Sequence, residues 1–259
     1  MKLEDIKCIG VMGGGAMGGG ISQAAALAGF KVVCRDLNDE LLAKTKDTIV
    51  DGRFGLKGGV TRGKQTQAQM DQALANITLT TRVEDLKNCD FIIEAVPDSK
   101  DLKKKVFAEL DKVVKKQAIF ASNTSYITIA DMAAVTNRKD LFIGMHWFNP
   151  APIMRLVEVI YTPDTSEETI KALEGVCKRC GKTSVRVKDH WGDTGFIVNR
   201  IFRAARMEAW KIVEEGTATG EDINTAMTLG RNWPDGPWAP TRRTKLVDEQ
   251  LGGGPETYV

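Results

Sequence analysis

The stretch GVMGGGAMG, residues 10–18, decides the fold. It begins inside IKCIGVM (6–12), an apolar run that reads as a short buried strand. It passes into an Ala- and Gly-rich segment, 16–29, that reads as a helix ending at Gly29. Between the two, Gly13, Gly15 and Gly18 form G-x-G-x-x-G. Alone this spacing is a weak signal. Here it joins a strand to a helix, and a second strand, KVVCRD (31–36), ends in an acid, Asp36, about 20 residues on. One glycine permits the tight turn, one lets the backbone approach a pyrophosphate, and one lets helix and strand pack closely. The first helical residues, Ala16 and Met17, then present an N-terminus that attracts phosphate charge. Asp36 is placed to accept hydrogen bonds from the adenosine ribose hydroxyls and to repel a 2′-phosphate, which favours NAD over NADP; Arg35 beside it works the other way. The competing reading, a glycine turn with no ligand, leaves the strand, helix and acid unexplained. Gly14, Gly19 and Gly20 are not needed by the fingerprint and are assigned to packing.

Downstream the alternation continues. Helices are expected over 38–50, 66–76, 100–114 and 128–136, and strands over 90–96, 117–123, 141–148 and 156–162. In the helix 100–114, Leu102, Val106, Leu110 and Val113 with Val114 share one face. Strands alternating with helices imply an α/β fold, a doubly wound, mostly parallel sheet of the Rossmann type covered on both faces. From Gly195 the pattern becomes helix only, in FIVNRIFRAARMEAWKIVEEG and EDINTAMTLG. The expected domains are therefore 1–190, dinucleotide-binding, and 191–259, smaller and helical, joined within KDHWGDTG (188–195).

Bulk properties narrow the function. The 259 residues suffice for one large domain or two smaller ones, and 42% hydrophobic with 27% charged residues is ordinary for a soluble globular chain. A formal charge of +2 argues against a nucleic-acid or membrane-surface partner. No apolar run approaches bilayer length, and the N-terminus lacks the charged-then-apolar form of an export signal. Of the five cysteines, Cys177 and Cys180 form a CxxC. No second pair or nearby His completes a metal site, so they read as two exposed thiols a helical turn apart. A reducing, cytoplasmic setting is expected.

The chemistry must lie in the second half. There are only two histidines, and His146 sits in GMHWFNP (144–150). In apolar company it reads either as a packed core residue or as a general base kept from bulk water. Glu158, an acid inside LVEVI, needs a partner if buried; His146 and Arg155 both qualify. Ser125, in SNTS (122–125), reads as a helix cap or a site hydroxyl. Asn199, in GFIVNR (195–200), reads as a helix N-terminal polar residue or a site amide. Trp147 and Phe148 read as wall or core, and His190 as a loop histidine.

Taken with the glycine loop, SNTS, GMHWFNPAPIMRLVEVI (144–160) and GFIVNR resemble the L-3-hydroxyacyl-CoA dehydrogenase family, including its short-chain 3-hydroxybutyryl-CoA members, from residue 5 to about Pro237. The resemblance implies an NAD-dependent oxidoreductase that moves a hydride between NAD and C3 of an L-3-hydroxyacyl-CoA. It implies His146 as catalytic base, Glu158 as its partner, Ser125 and Asn199 near the substrate oxygen, and Asn149 supporting the substrate pocket. On the cofactor side it implies Ala95, Asp98 (where the family has Glu), Lys103 and Asn123. A solvated helix face is the bland reading of Lys103, within KKK. Arg53, Lys57, Arg62 and Lys64 fall where the family meets CoA phosphates, Lys57 and Lys64 foremost; a solvated basic loop is the alternative. A homodimer is implied as well. Two other functional readings stand beside this one: a non-catalytic NAD-binding relative, and a dehydrogenase for a branched or cyclic 3-hydroxyacyl-CoA.

The sequence departs from the family in two places. The linker KDHWGDTG lacks the usual Pro before GFIVNR. After NWPDGP the family continues through further apolar helices, whereas WAPTRRTKLVDEQLGGGPETYV is polar and glycine-rich. The second domain is thus expected to be truncated, with an irregular tail from about 238, leaving apolar faces of 196–215, such as that of Ile201, exposed.

Overall fold

The structure is a computed structural model that describes residues 2–239 apart from 191 and 193. It divides into two compact units, 1–194 and 195–259. The first is built on one eight-stranded sheet. Its first half runs β1 (Cys8–Met12), α1 (Ala16–Leu27), β2 (Lys31–Arg35), α2 (Asp39–Val50), α3 (Leu56–Thr61), α4 (Gln67–Ala75) and β3 (Ile77–Thr80). Its second half runs β4 (Phe91–Glu94), α5 (Lys100–Val113), β5 (Ile119–Ser122), α6 (Ile129–Ala133), β6 (Phe142–Trp147), β7 (Leu156–Tyr161), α7 (Glu167–Arg179) and β8 (Thr183–Lys188).

The strand order is β3-β2-β1-β4-β5-β6-β7-β8, parallel throughout except where β7 pairs antiparallel with β6. This is the expected α/β doubly wound architecture. The chain leaves β1 toward β2 and β3, then returns to β1's other side with β4. Such a reversal opens a crevice at the carboxyl ends of the strands, the general ligand position in open α/β sheets. The central strands β4 and β5, FIIE and IFAS, are buried at every residue, as both-face coverage requires.

Local chemistry sets the helix ends. Asn38 accepts from the amide of Leu41 at 2.9 Å to start α2, and Thr66 with Gln69 makes a capping box at α4. Ser166 accepts from the amide of Thr169 at 3.2 Å to start α7. The buried Arg138 closes α5, its guanidinium donating to the carbonyls of Asp111, Val114 and Lys115 and to the Asp111 carboxylate at 2.6 Å.

Four elements were not anticipated, the short α3 among them. β3 has only four residues, and β8 is largely polar. β8 is the sheet edge, with no buried residue along TSVRVK, so its sequence lacks the apolar core signal. α7 buries Ile170, Leu173, Val176 and Cys177, and this corrects the reading of two exposed thiols. Cys177 is fully buried on the sheet-facing side of α7 and its thiol is pushed up by burial, while burial holds the Cys180 thiol up at about 12. Among the described residues no cluster of three His, Cys, Asp or Glu side chains could hold a metal, and no helix is long and apolar enough to cross a membrane.

The second unit contains α8 (Ile197–Glu214) and α9 (Gly220–Arg231). Trp210 stacks on Trp238 with centroids 4.0 Å apart, and Asn224 ties the Trp238 backbone through both N–H and C=O. Ile201 and Leu229 stand 62% and 83% exposed. The polar tail, residues 240–259, lies outside the described residues.

Candidate active site

The fingerprint glycines occupy the turn from β1 into α1. Gly13 has φ +97°, a conformation that favours glycine. A Cβ on Gly18 would lie 1.7 Å from the Gly13 carbonyl oxygen, so only glycine lets α1 sit this close to β1. At Gly15, the N-cap of α1, a Cβ would meet no protein atom within 4 Å. Its missing side chain therefore leaves room on the open side, where a pyrophosphate would approach the free amides of the first helical turn. Ala16 is exposed beside it.

Asp36 follows β2. One carboxylate oxygen accepts from the Gly14 amide and the other from the Leu37 amide, each at 2.7 Å. Gly14 is thus more than packing filler: its N–H locks the acid against the loop. Arg35, the residue that argued for a 2′-phosphate, donates its Nε to the Thr81 carbonyl at 3.1 Å. The open helix N-terminus and the anchored acid fit an NAD pyrophosphate and ribose.

At the end of β4 a buried polar cluster forms that the sequence reading missed. Glu94, 0% exposed, accepts from Lys103 Nζ at 2.6 Å, from the Val96 amide at 2.7 Å and from Ser122 Oγ at 2.7 Å. Lys103 is 1% exposed, which removes the solvated-face reading. Its three N–H bonds go to Glu94, to the Val96 carbonyl at 2.9 Å and to Asp98 at 3.2 Å. Asp98 in turn accepts from the Ser125 amide at 3.1 Å, and its own carbonyl accepts from the Tyr126 hydroxyl. The segments Glu94–Asp98 and Ser122–Ser125 are therefore fastened together from below. Burial pushes the Glu94 carboxyl up; the Lys103 ammonium and the Ser122 and Val96 donors oppose it. The available sequence signal was an acid closing the apolar run FII, with a lysine on the buried face of the next helix.

His146 lies near the carboxyl end of β6, directly opposite Glu158 on antiparallel β7. Nδ1 of His146 is 2.7 Å from Oε2 of Glu158, and both residues are buried. Of the two partners the sequence offers, His146 is the one paired with Glu158 here. The Phe148 ring flanks the imidazole with centroids 4.5 Å apart. Asn123 Oδ1 accepts from the Trp147 amide at 2.9 Å, and the Asn123 amide donates to the Glu94 carbonyl. The histidine strand and the SNTS loop are thereby held in one register. Beyond His146 the chain turns through a cis Asn149–Pro150 bond. The buried Lys182, another residue the sequence reading missed, donates to the carbonyls of Ala151 at 2.6 Å and Met154 at 2.8 Å. It pins the turn that carries Asn149.

The structure thus gathers Gly13–Gly18, Asp36, Ala95, Asp98, Lys103, Asn123, Ser125, His146, Asn149 and Glu158 toward the carboxyl ends of the strands. Lys57 pairs with Asp51 at 2.5 Å on the surface, and Arg53, Arg62 and Lys64 are exposed in the same segment. Asn199 stands in the first turn of α8, in the second unit. His190, 3.0 Å from Thr194 Oγ1, is a loop residue outside the set.

Comparison with known proteins places these features in context. Residues 8–190 match the family described as 3-hydroxyacyl-CoA dehydrogenase, NAD binding domain, and residues 195–247 match its C-terminal domain. Hydroxyacyl-coenzyme A dehydrogenase of Rattus norvegicus mitochondria is 41% identical over 236 residues, 90% of this chain and 74% of the relative. A probable 3-hydroxybutyryl-CoA dehydrogenase of Bacillus subtilis is 39% identical over 235 residues, 91% of this chain and 80% of the relative. The solved (S)-3-hydroxybutyryl-CoA dehydrogenase of Ralstonia eutropha superposes with a TM-score of 0.85 at 42% identity, covering 90% of this chain and 80% of that one.

Proposed function

Because this chain belongs to the 3-hydroxyacyl-CoA dehydrogenase family and uses NAD, we propose that it interconverts a short L-3-hydroxyacyl-CoA and the 3-ketoacyl-CoA, of the 3-hydroxybutyryl/acetoacetyl type. NAD, when bound, accepts or supplies the hydride at C3. His146 takes the 3-hydroxyl proton on Nε2. Glu158, on Nδ1, fixes the imidazole tautomer and stabilises the imidazolium that forms. The observation carrying this reading is the buried His146–Glu158 pair at 2.7 Å, set beside the loops that follow β4 and β5.

The other residues position rather than react. Ser125, whose amide donates to Asp98, and Asn199 are assigned to the substrate oxygen. Lys103 commits its donors to Glu94, Val96 and Asp98, so it serves the cofactor by fixing the Ala95–Asp98 turn. Asn149 supports the acyl pocket, and Lys57 and Lys64 meet CoA phosphates. A homodimer, with the two domains divided near residues 190–195, completes the proposal.

The test is NADH oxidation with acetoacetyl-CoA by the purified chain. Turnover with this thioester supports the assignment. NADH binding without turnover on acetoacetyl-CoA, followed by turnover on a branched or cyclic thioester, would move the assignment to that substrate. Binding with no turnover on any thioester would leave a non-catalytic relative.

A further inference from the structure

At the opposite, amino edge of the sheet stands a pair of thiols that the dehydrogenase reaction does not use. Cys8 opens β1, and Cys89 lies two residues before β4, the strand that pairs with β1. Their sulfurs are 3.5 Å apart although 81 positions separate them in sequence. Their backbones are fastened to each other. The Asp90 carboxylate accepts from the amides of Lys7 and Cys8, each at 2.8 Å, and the Asp90 amide donates to the Cys8 carbonyl at 2.9 Å. The other Asp90 oxygen is held by the Lys115 ammonium. The residue next to Cys89 is thus clamped to Cys8 on both sides.

We infer that Cys8 and Cys89 form a site of reversible oxidation, in which a hydroperoxide closes a disulfide between β1 and the segment leading into β4. Exposure orders the steps. Cys8 is partly exposed and Cys89 is 1% exposed, so the peroxide reaches Cys8 first. The Cys8 thiolate attacks a peroxide oxygen; an S–O bond forms, the O–O bond breaks, and sulfenic acid and hydroxide result. The Cys89 sulfur then attacks the Cys8 sulfur; the S–S bond forms, the S–O bond breaks and water leaves. The proton first lost by Cys8 neutralises the hydroxide. In sum two thiols and one hydrogen peroxide give one disulfide and two waters.

The surroundings support this order. A hydrogen bond from the Cys89 thiol lowers the Cys8 thiol and raises that of Cys89; burial and the Asp90 charge work against the lowering, and Lys115 adds to it. The partly exposed sulfur is therefore the better nucleophile toward peroxide and the buried one the resolving thiol. Closing the bond moves the sulfurs from 3.5 Å to about 2.05 Å. Cys34 and Cys177 are buried elsewhere, with the Cys34 thiol raised to about 11 by burial, and serve as internal controls.

The experiment exposes the full-length protein to graded hydrogen peroxide, alkylates the remaining thiols and maps peptides by mass spectrometry. The expected result is a Cys8–Cys89 linked peptide formed within one chain, lost on treatment with dithiothreitol, while Cys34 and Cys177 stay reduced. In Cys89→Ser the same exposure should leave Cys8 as a dimedone-trappable sulfenic acid. A Cys8 and Cys89 that both remain alkylatable at peroxide concentrations oxidising other residues would overturn the proposal. So would first linkage at Cys177–Cys180. All readouts are on thiols, so they stand or fall independently of catalytic activity.

Discussion

The two ends of the sheet both bury a carboxylate beside a cation, yet the protein treats them oppositely. At the carboxyl edge Glu94, wholly buried and facing Lys103, is pushed up in pKa because desolvation exceeds what three donors return. Toward the amino edge Asp111 and Asp90, with side chains 9% and 12% exposed, also feel burial. The Arg138 and Lys115 partners, with backbone donors, more than offset it and hold both carboxyls below the ordinary aspartate value. At Glu94 complete burial outweighs the donors, whereas at Asp90 and Asp111 the donors outweigh burial. The amino edge is arranged for stability; the carboxyl edge keeps polar groups under electrostatic tension, as sites that bind charged ligands do.

Predictions that break or sharpen this contrast follow in order of size. His146→Gln should lower kcat for acetoacetyl-CoA reduction by about 10³–10⁴-fold, while NADH affinity and Tm hold; a fall in Tm matching the loss of rate would recast His146 as a core residue. Glu94→Gln replaces the titrating carboxyl beside Lys103 with a neutral group of the same shape, and its effect on urea unfolding should depend on pH. Glu94 carries a raised folded pKa, so its stabilising contribution is lost as pH rises above the ordinary value of 4.5. The variant should therefore show a flatter stability profile on that side, and an unchanged slope would remove Glu94 from the argument. Glu158→Gln should reduce kcat about a hundredfold, with a displaced pH–rate profile; an unshifted profile speaks against the pair. Asp36→Ala should weaken NADH binding about tenfold and narrow the preference over NADPH, measured by fluorescence titration.

The smallest effect tests the amino edge. Asp111 has a folded pKa below its unfolded one, so its contribution is full above pH 3.8 and lost as pH falls through the folded value. Asp111→Asn should make the Tm fall less steeply between about pH 4 and pH 2. An identical acid limb in both proteins would show that the Arg138 pairing does not govern acid lability.

Sequence periodicity carried most of the architecture, because the central strands are continuous apolar runs and the glycine turn has a fixed spacing. It failed at β8, where burial is partial, and passed over α7, although Ile170, Leu173, Val176 and Cys177 recur there at helical spacing. TSVRVK forms β8 by pairing with β7; its one strand signal is the alternation of Thr183, Val185 and Val187 with polar residues, over too short a run to stand out. The site was legible where chemistry and motif coincide, at Gly13–Gly18, Asp36, His146 and Glu158. Glu94 and Lys182 were not, because their roles rest on burial and on backbone carbonyls supplied by distant segments. A lysine in a charged run looks the same in sequence whether it faces water or, as at Lys103, three acceptors.

The antiparallel turn from β6 to β7 has one more consequence. His146 and Glu158 are only 12 residues apart, and their alignment is set by neighbouring backbone pairs, Met145 with Val159 and Trp147 with Val157. A slip of one position would send Glu158 to the other face of the sheet. The turn between them, 148–155, is held separately: Phe148 flanks the imidazole, Ala151 is buried, and Lys182 grips two of its carbonyls. A substitution elsewhere on the two strands therefore keeps His146 facing Glu158 wherever it leaves those flanking backbone pairs intact.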